Sequence, residues 1–207
     1  MLFHTGANNR IGRVDDDSSV MNYDAEEIKR KATVSTSLAA IEYKDCKINL
    51  LDAPGFDDFL GEVYKISGAI DMAIVTVNAQ SGVEVGTEKN WAVMEMAKTP
   101  RIVYLSKLDK ENINLDKTFD SLKALDAKIT PVIVPWGTFD KLKGVINLID
   151  MKAYEYTDDK GKSIKVQDIP AEYTAYAQAM HDQMVESIVE CDENLMNKFF
   201  EGEEISA

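Results

Sequence analysis

Residues 47–55 read KINLLDAPG, an apolar run that stops at Asp52-Ala53-Pro54-Gly55. Proline removes a ladder donor and glycine permits a sharp turn, so this run reads as a strand ending at Asp52. Immediately upstream, Ser37–Lys44 (SLAAIEYK) is a second strand, and the pair predicts a hairpin turning at Asp45-Cys46. Downstream, Asp71–Val77 (DMAIVTV) and Arg101–Leu105 (RIVYL) have the texture of buried strands. A helix is expected between them over Thr87–Lys98, carrying Trp91 and Met94 at helical spacing. Another follows with Leu115, Phe119, Leu122 and Leu125 on one face, and then a strand over Pro131–Val134. Strands alternating with helices predict an α/β fold with a mainly parallel sheet, the hairpin lying at one edge.

The flanks differ. Residues 1–36 are polar and weakly periodic, with an acidic run Asp15-Asp16-Asp17 and a charged stretch Glu26–Lys31; they read as a loop with one short helix. From about residue 138 the texture changes again. Residues 143–168 predict short strands with a turn at Asp158-Asp159-Lys160-Gly161, and 171–200 predict a helix. Its stripe of Tyr173, Ala177, Met180, Met184, Ile188 and Cys191 is expected to be core, and Trp136 and Phe139 to pack the junction. The boundaries expected are therefore 1–137 for one domain and 138–207 for a small α+β unit.

Composition narrows the function classes. A chain of 207 residues has room for one or two domains at roughly 150 residues each. A net charge of −13 argues against independent DNA binding and against an anionic membrane surface, both of which need positive charge. Two distant cysteines, Cys46 and Cys191, make no disulfide framework or zinc spacing, and two histidines make no multi-histidine metal site. No apolar run approaches a membrane span, so a soluble, cytoplasmic protein is expected.

Two strand-end motifs carry chemistry. Asp52-Ala53-Pro54-Gly55 is a D-x-x-G, and Ser106-Lys107-Leu108-Asp109 is an x-K-x-D on a later strand. Ligands of parallel α/β sheets bind outside such strand ends. In a nucleotide-binding reading, the Asp52 carboxylate supports Mg2+ through water, and the Gly55 amide approaches a terminal phosphate because no Cβ intervenes. Lys107 lays its stem along a base. Asp109 accepts two hydrogens from a guanine edge, a donor pair that adenine lacks. The two carboxylates are then expected to flank one nucleotide from neighbouring strand tips of one sheet.

Ile48–Phe59 (INLLDAPGFDDF), Ser81–Glu88 (SGVEVGTE), Ser106–Lys110 (SKLDK) and Lys152–Tyr154 (KAY), in this order, resemble elongation factor G and its close relatives among translational GTPases. The resemblance runs over essentially the whole chain and implies GTP/GDP and Mg2+ as ligands. It implies that Thr33 contacts magnesium and the γ-phosphate, that Asp52 and Gly55 form the second switch motif, and that Ser106, Lys107 and Asp109 read guanine. It further implies that 1–137 is part of a GTP-binding domain of P-loop GTPase type. Residues 138–207 are then part of an insert subdomain facing the ribosomal stalk, with the remaining domains of the parent protein and the ribosomal factor-binding site as partners. A ribosomal-protection paralogue shares the same features.

The departures matter equally. No G-x-x-x-x-G-K-[ST] occurs; Gly161-Lys162-Ser163 fails because position 156 is Tyr156. Leu2–Gly6 resembles the helix that follows the phosphate loop, so the chain is expected to begin just downstream of that loop and its strand, and to end before the last guanine-contacting loop. Losing the loop's lysine and several amides removes on the order of 5 kcal/mol, at least about a thousandfold in affinity. The 207 residues alone are thus expected to be inactive, and a non-enzymatic remnant with at most a stalk contact is the competing reading. Phe56 stands where the family has a water-orienting histidine, and a phenyl ring neither donates nor accepts. Ser106 replaces an asparagine, and Lys31 replaces a glycine, of the family pattern.

Overall fold

The hairpin forms because Lys44 and Asp45 both take left-handed φ angles, 46° and 62°, the geometry of a two-residue turn matched to strand twist. β1 (Ser37–Tyr43) and β2 (Cys46–Asp52) pair antiparallel from Tyr43 opposite Cys46 to Ser37 opposite Asp52. The turn therefore falls one residue earlier than Asp45-Cys46. The computed structural model describes residues 1–158, 161–201 and 205. It divides into two units, one of residues 1–77 and 84–104 and one of 78–83 and 105–207.

In the first unit a short helix, α1 (Ala25–Arg30), precedes the hairpin. Asp24 caps it by accepting the Glu26 amide at 2.8 Å, and Lys31 closes it in a left-handed conformation. After β2 the chain turns through a 3-10 segment, Asp57–Phe59, into α2 (Leu60–Ser67). β3 (Ala73–Asn78), α3 (Val85–Met96) and β4 (Arg101–Ser106) follow, close to expectation. Val63 of α2 and Val93 and Met94 of α3 form a buried cluster, joined by Ala53, Leu60, Ile70 and Ala73. This cluster anchors the residue that follows Asp52. Arg101 lies 4.3 Å over the ring of buried Trp91.

β3 and β4 run parallel: the amide of Ala73 donates to Pro100, and that of Ala79 to Ser106, with the same offset at both ends. The expected parallel character rests on this pair. Among the described residues β2 ladders with β1 and β3 with β4, two sheets of two strands. No described strand is hydrogen-bonded to both β2 and β3, and neighbouring strands must lie about 4.8 Å apart to pair.

In the second unit, α4 (Leu115–Leu125) is amphipathic as its spacing predicts, with Leu122 fully buried. β5 (Ile133–Trp136), β6 (Gly144–Asn147), β7 (Lys152–Tyr156) and β8 (Ile164–Asp168) form an antiparallel meander. The strand expected over 131–134 among the parallel strands thus ladders instead with residues 144–147. The cause is Gly137 at φ +85°, where an added Cβ would meet the Lys141 carbonyl at 2.0 Å; the chain doubles back there. Trp136 is buried within this unit's core, with Val134, Ile146, Leu148 and Ala153, while Phe139 is exposed.

α5 (Ala171–Val189) lays Ala177 and Met184 on that core, with Tyr173 and Met180 beside them. The stripe departs from expectation at its end: Ile188 and Cys191 are exposed and Val189 is buried. α5 ends at Val189 and the Asp192 carboxylate caps α6 (Glu193–Phe200) by accepting the amides of Asn194 and Leu195, so Cys191 lies beyond the helix that carries the stripe; nothing in the structure explains why Ile188, inside α5, is exposed. His181 donates Nδ1–H to the Leu148 carbonyl at 2.7 Å, a structural tie. Asp159 and Lys160 of the expected turn lie outside the described residues, as do Glu203, Glu204, Ser206 and Ala207. Asp158 accepts the amides of Lys162 and Ser163, so the Gly161-Lys162-Ser163 segment is a connection between β7 and β8.

Candidate functional site

The site in the first unit is built where two loops meet. β2 ends in Asp52, and residues 31–36 run irregularly between α1 and β1. Thr33 donates its hydroxyl toward Asp52 Oδ2 at 3.5 Å, a long contact that brings together two residues 19 apart in sequence. Asn22, itself buried, donates Nδ2–H to Thr33 Oγ1 at 2.9 Å and accepts from the Ser19 hydroxyl at 2.8 Å. The Thr33 hydroxyl is therefore oriented from behind, its proton left for Asp52.

Three successive amides after Thr33 end on carboxylates. Val34 and Ser35 donate to Glu27 Oε1 at 2.9 and 3.1 Å, and Thr36 donates to Glu62 Oε2 at 3.1 Å. Lys65 beside Glu62, together with the Thr36 amide, holds the Glu62 carboxyl below its usual range. The Asp52 carboxyl is pushed up, chiefly because neighbouring protein displaces water from it. The Thr33 hydroxyl opposes this, and the like charge of Glu27 adds to it.

Gly55 lies on the same loop, and a Cβ added there would meet nothing within 4 Å. The Cβ side of Gly55 is thus open. Gly86 at the start of α3 comes near the Gly55 carbonyl, and Asp57 pairs with Lys89 of α3, which ties the loop to that helix. Phe56 is 63% exposed and offers only its ring.

The x-K-x-D segment lies in the second unit from Ser106 onward. Ser106 accepts the Ala79 amide at 3.0 Å. Lys107 is exposed and sits at φ +60°, a conformation few lysines adopt, and its carbonyl accepts the Lys110 amide at 3.1 Å. Leu108 is held by a bond from the Phe139 amide to its carbonyl at 2.8 Å. Asp109 is exposed, with Lys110 at 3.9 Å. β2 and β4 ladder in different sheets, so the expectation that Asp52 and Asp109 top neighbouring strands of one sheet is not met.

The donor set of Thr33 and Asp52, a hydroxyl and a partly desolvated carboxylate, suits a hard dication that keeps several of its waters. Among the described residues no three His, Cys, Asp or Glu side chains converge as a metal cage. Asn22 and Glu27 were not visible as site residues in the sequence. Glu27 sits in a charged run that reads as a solvated helix face, and only its burial marks it out.

A family model, the elongation factor Tu GTP binding domain, matches residues 1–194. The chain belongs to this family. Within it, the chain is 35% identical over all 207 residues to elongation factor G of Ureaplasma urealyticum serovar 10. It superposes on a crystal structure of a Thermus thermophilus protein with a TM-score of 0.91 at 35% identity, over 100% of its own length. It spans 30% of the length of the first relative and 31% of the second chain. The mixed α/β fold of the GTP-binding domain family is as the motif order predicted. No helix among the described residues is long and apolar enough to cross a membrane.

Proposed function

We propose that these residues are part of the guanine-nucleotide domain and insert subdomain of an elongation factor G-like translational GTPase. The parent protein would work in the cytoplasm, docking on the ribosome and coupling GTP hydrolysis to translocation. The observation that carries the reading is the convergence of Thr33 on Asp52, residues that the two switch motifs single out independently. Bound Mg2+ would neutralise phosphate charge there. Asp52 would hold it through water, and Thr33 would offer its hydroxyl oxygen. The Cβ side of Gly55 is open, and its amide would donate to a terminal phosphate. Lys107 would cover one face of the base and Asp109 would accept from its two donors, with Ser106 tying the loop. Phe56 has no proton to give or take, so water orientation at that position falls to another group or hydrolysis is slow.

The reading of residues 138–207 as part of an insert is supported by the packing of α5 on Ile146, Leu148 and Ala153, a core that also takes Val134 and Trp136 from β5. A contact with the ribosomal stalk belongs to this unit. A second reading is favoured by one observation: the 207 residues hold no G-x-x-x-x-G-K-[ST]. On that reading the chain is a non-enzymatic remnant. A ribosomal-protection paralogue would share this GTP-binding domain.

The test is titration of magnesium-GTP and magnesium-ATP into the 207-residue chain and into the chain extended by whatever its gene encodes upstream. The extended chain is expected to prefer GTP and to lose that preference in Asp109→Asn. An extended chain that does not distinguish GTP from ATP overturns the proposal. Saturable binding to the 207 residues alone below about 100 μM counts against the remnant.

A further inference from the structure

Glu27 is 2% exposed, and among the described residues no lysine or arginine pairs with it. A carboxylate taken out of water without a cation is costly, and an apolar side chain of similar size fills a core more cheaply. What compensates Glu27 is a pair of charge-assisted hydrogen bonds from successive backbone amides, Val34 at 2.9 Å and Ser35 at 3.1 Å. Those amides belong to an irregular segment with no ladder of its own there, and they directly follow Thr33. On the other side, Asn22 holds the Thr33 hydroxyl at 2.9 Å.

We propose that Glu27 is a positioning residue: its buried carboxylate fixes the backbone of Thr33-Val34-Ser35 and so sets the Thr33 hydroxyl against Asp52. This rests on the reading of Thr33 and Asp52 as the magnesium-nucleotide pair. The carboxylate reaches from the middle of α1, whose N-terminus is capped by Asp24 and whose end is closed by Lys31, so the reach is set by a short, well-terminated helix. The segment is then locked at three points, two amides and one side chain, before any ligand arrives. A loop that must present one hydroxyl gains by having its ordering entropy spent in folding.

The experiment is amide hydrogen exchange by NMR on the full 207-residue chain and two variants. Glu27→Gln keeps an acceptor at the same reach; Glu27→Asp keeps the charge but falls one methylene short. Protection of the Val34 and Ser35 amides is expected to drop on the order of tenfold in Glu27→Asp and by less in Glu27→Gln, which keeps the acceptor without its charge, with β1 and α3 amides unchanged in both. Val34 and Ser35 as protected in Glu27→Asp as in wild type overturn the proposal, and so does equal loss in Glu27→Gln. These measurements need no nucleotide. Failure of the nucleotide reading would show separately, as an extended chain with no preference for GTP.

Discussion

The side-chain amide of Asn22 donates to the Thr33 hydroxyl at 2.9 Å, from a position only 7% exposed. Ser19 feeds this bond from one end and Asp52 receives from the other, so the hydrogen bonds between side chains from Ser19 to Asp52 point one way. Asn22→Ala removes the central donor and leaves two partners unsatisfied. A loss of about 1–3 kcal/mol is expected in urea unfolding, with the slope unchanged.

Asp52 carries the opposite kind of cost. Its carboxyl is held above the unfolded value, so between the two values the folded chain binds more protons than the unfolded one. Stability therefore rises as pH falls through the folded value, and the ionised group opposes folding at neutral pH. Asp52→Asn is expected to unfold at equal or higher urea concentration than wild type at neutral pH. The gap should close in acid, where both side chains are uncharged. The same substitution should weaken magnesium-dependent GTP binding in the upstream-extended chain. Paired urea curves at two pH values and a nucleotide titration check both halves.

The meander depends on a core with no exposed atoms at Ile146 and Leu148. Ile146→Ala is expected to cost about 2–5 kcal/mol, the transfer of the lost methyl groups plus a cavity term. Chemical denaturation of the 207-residue chain gives the number.

Gly137→Ala tests the backbone rather than the core. A left-handed residue gains a Cβ penalty of about 1–2 kcal/mol, and here the Cβ also meets the Lys141 carbonyl at 2.0 Å, so the loss should exceed that figure. Because the turn sets β5 against β6, amide exchange should rise at both strands before it rises in α4.

The face shared by Ile74 of β3 and Ile102 and Tyr104 of β4 is 48%, 53% and 60% exposed. Beside it, β2 and β3 each pair with a single strand among the described residues. Exposed apolar strands with open edges associate. Ile102→Lys is expected to raise the concentration at which the chain begins to scatter light, with the far-ultraviolet circular dichroism unchanged.

Much of this was legible in order and spacing. The alternation of β1 and the stop at Pro54 predict β2 and its end; the 3.6-residue pattern of Leu115, Phe119 and Leu122 predicts α4; and Asp52, Gly55, Lys107 and Asp109 stand out because motif residues keep their spacing. The hairpin turn falls one residue before its expected place because two adjacent non-glycine residues, Lys44 and Asp45, take left-handed angles that composition does not signal. Cys191 falls off the stripe because α5 ends at Val189, an end that only the Asp192 cap of the next helix reveals.

Local sequence, then, determined which segments are strands and helices and which side chains are the candidates for chemistry, because turn residues, periodicity and motif spacing act within a few residues. Which strand found which was settled only in three dimensions. β5 chose β6 over the parallel strands, β2 and β4 ended in different sheets, and a glutamate in a charged run became the buried partner of two amides beside Thr33. The reason is that hydrogen-bond partners and burial are set by distances between residues remote in the chain, and those distances exist only once the fold has closed.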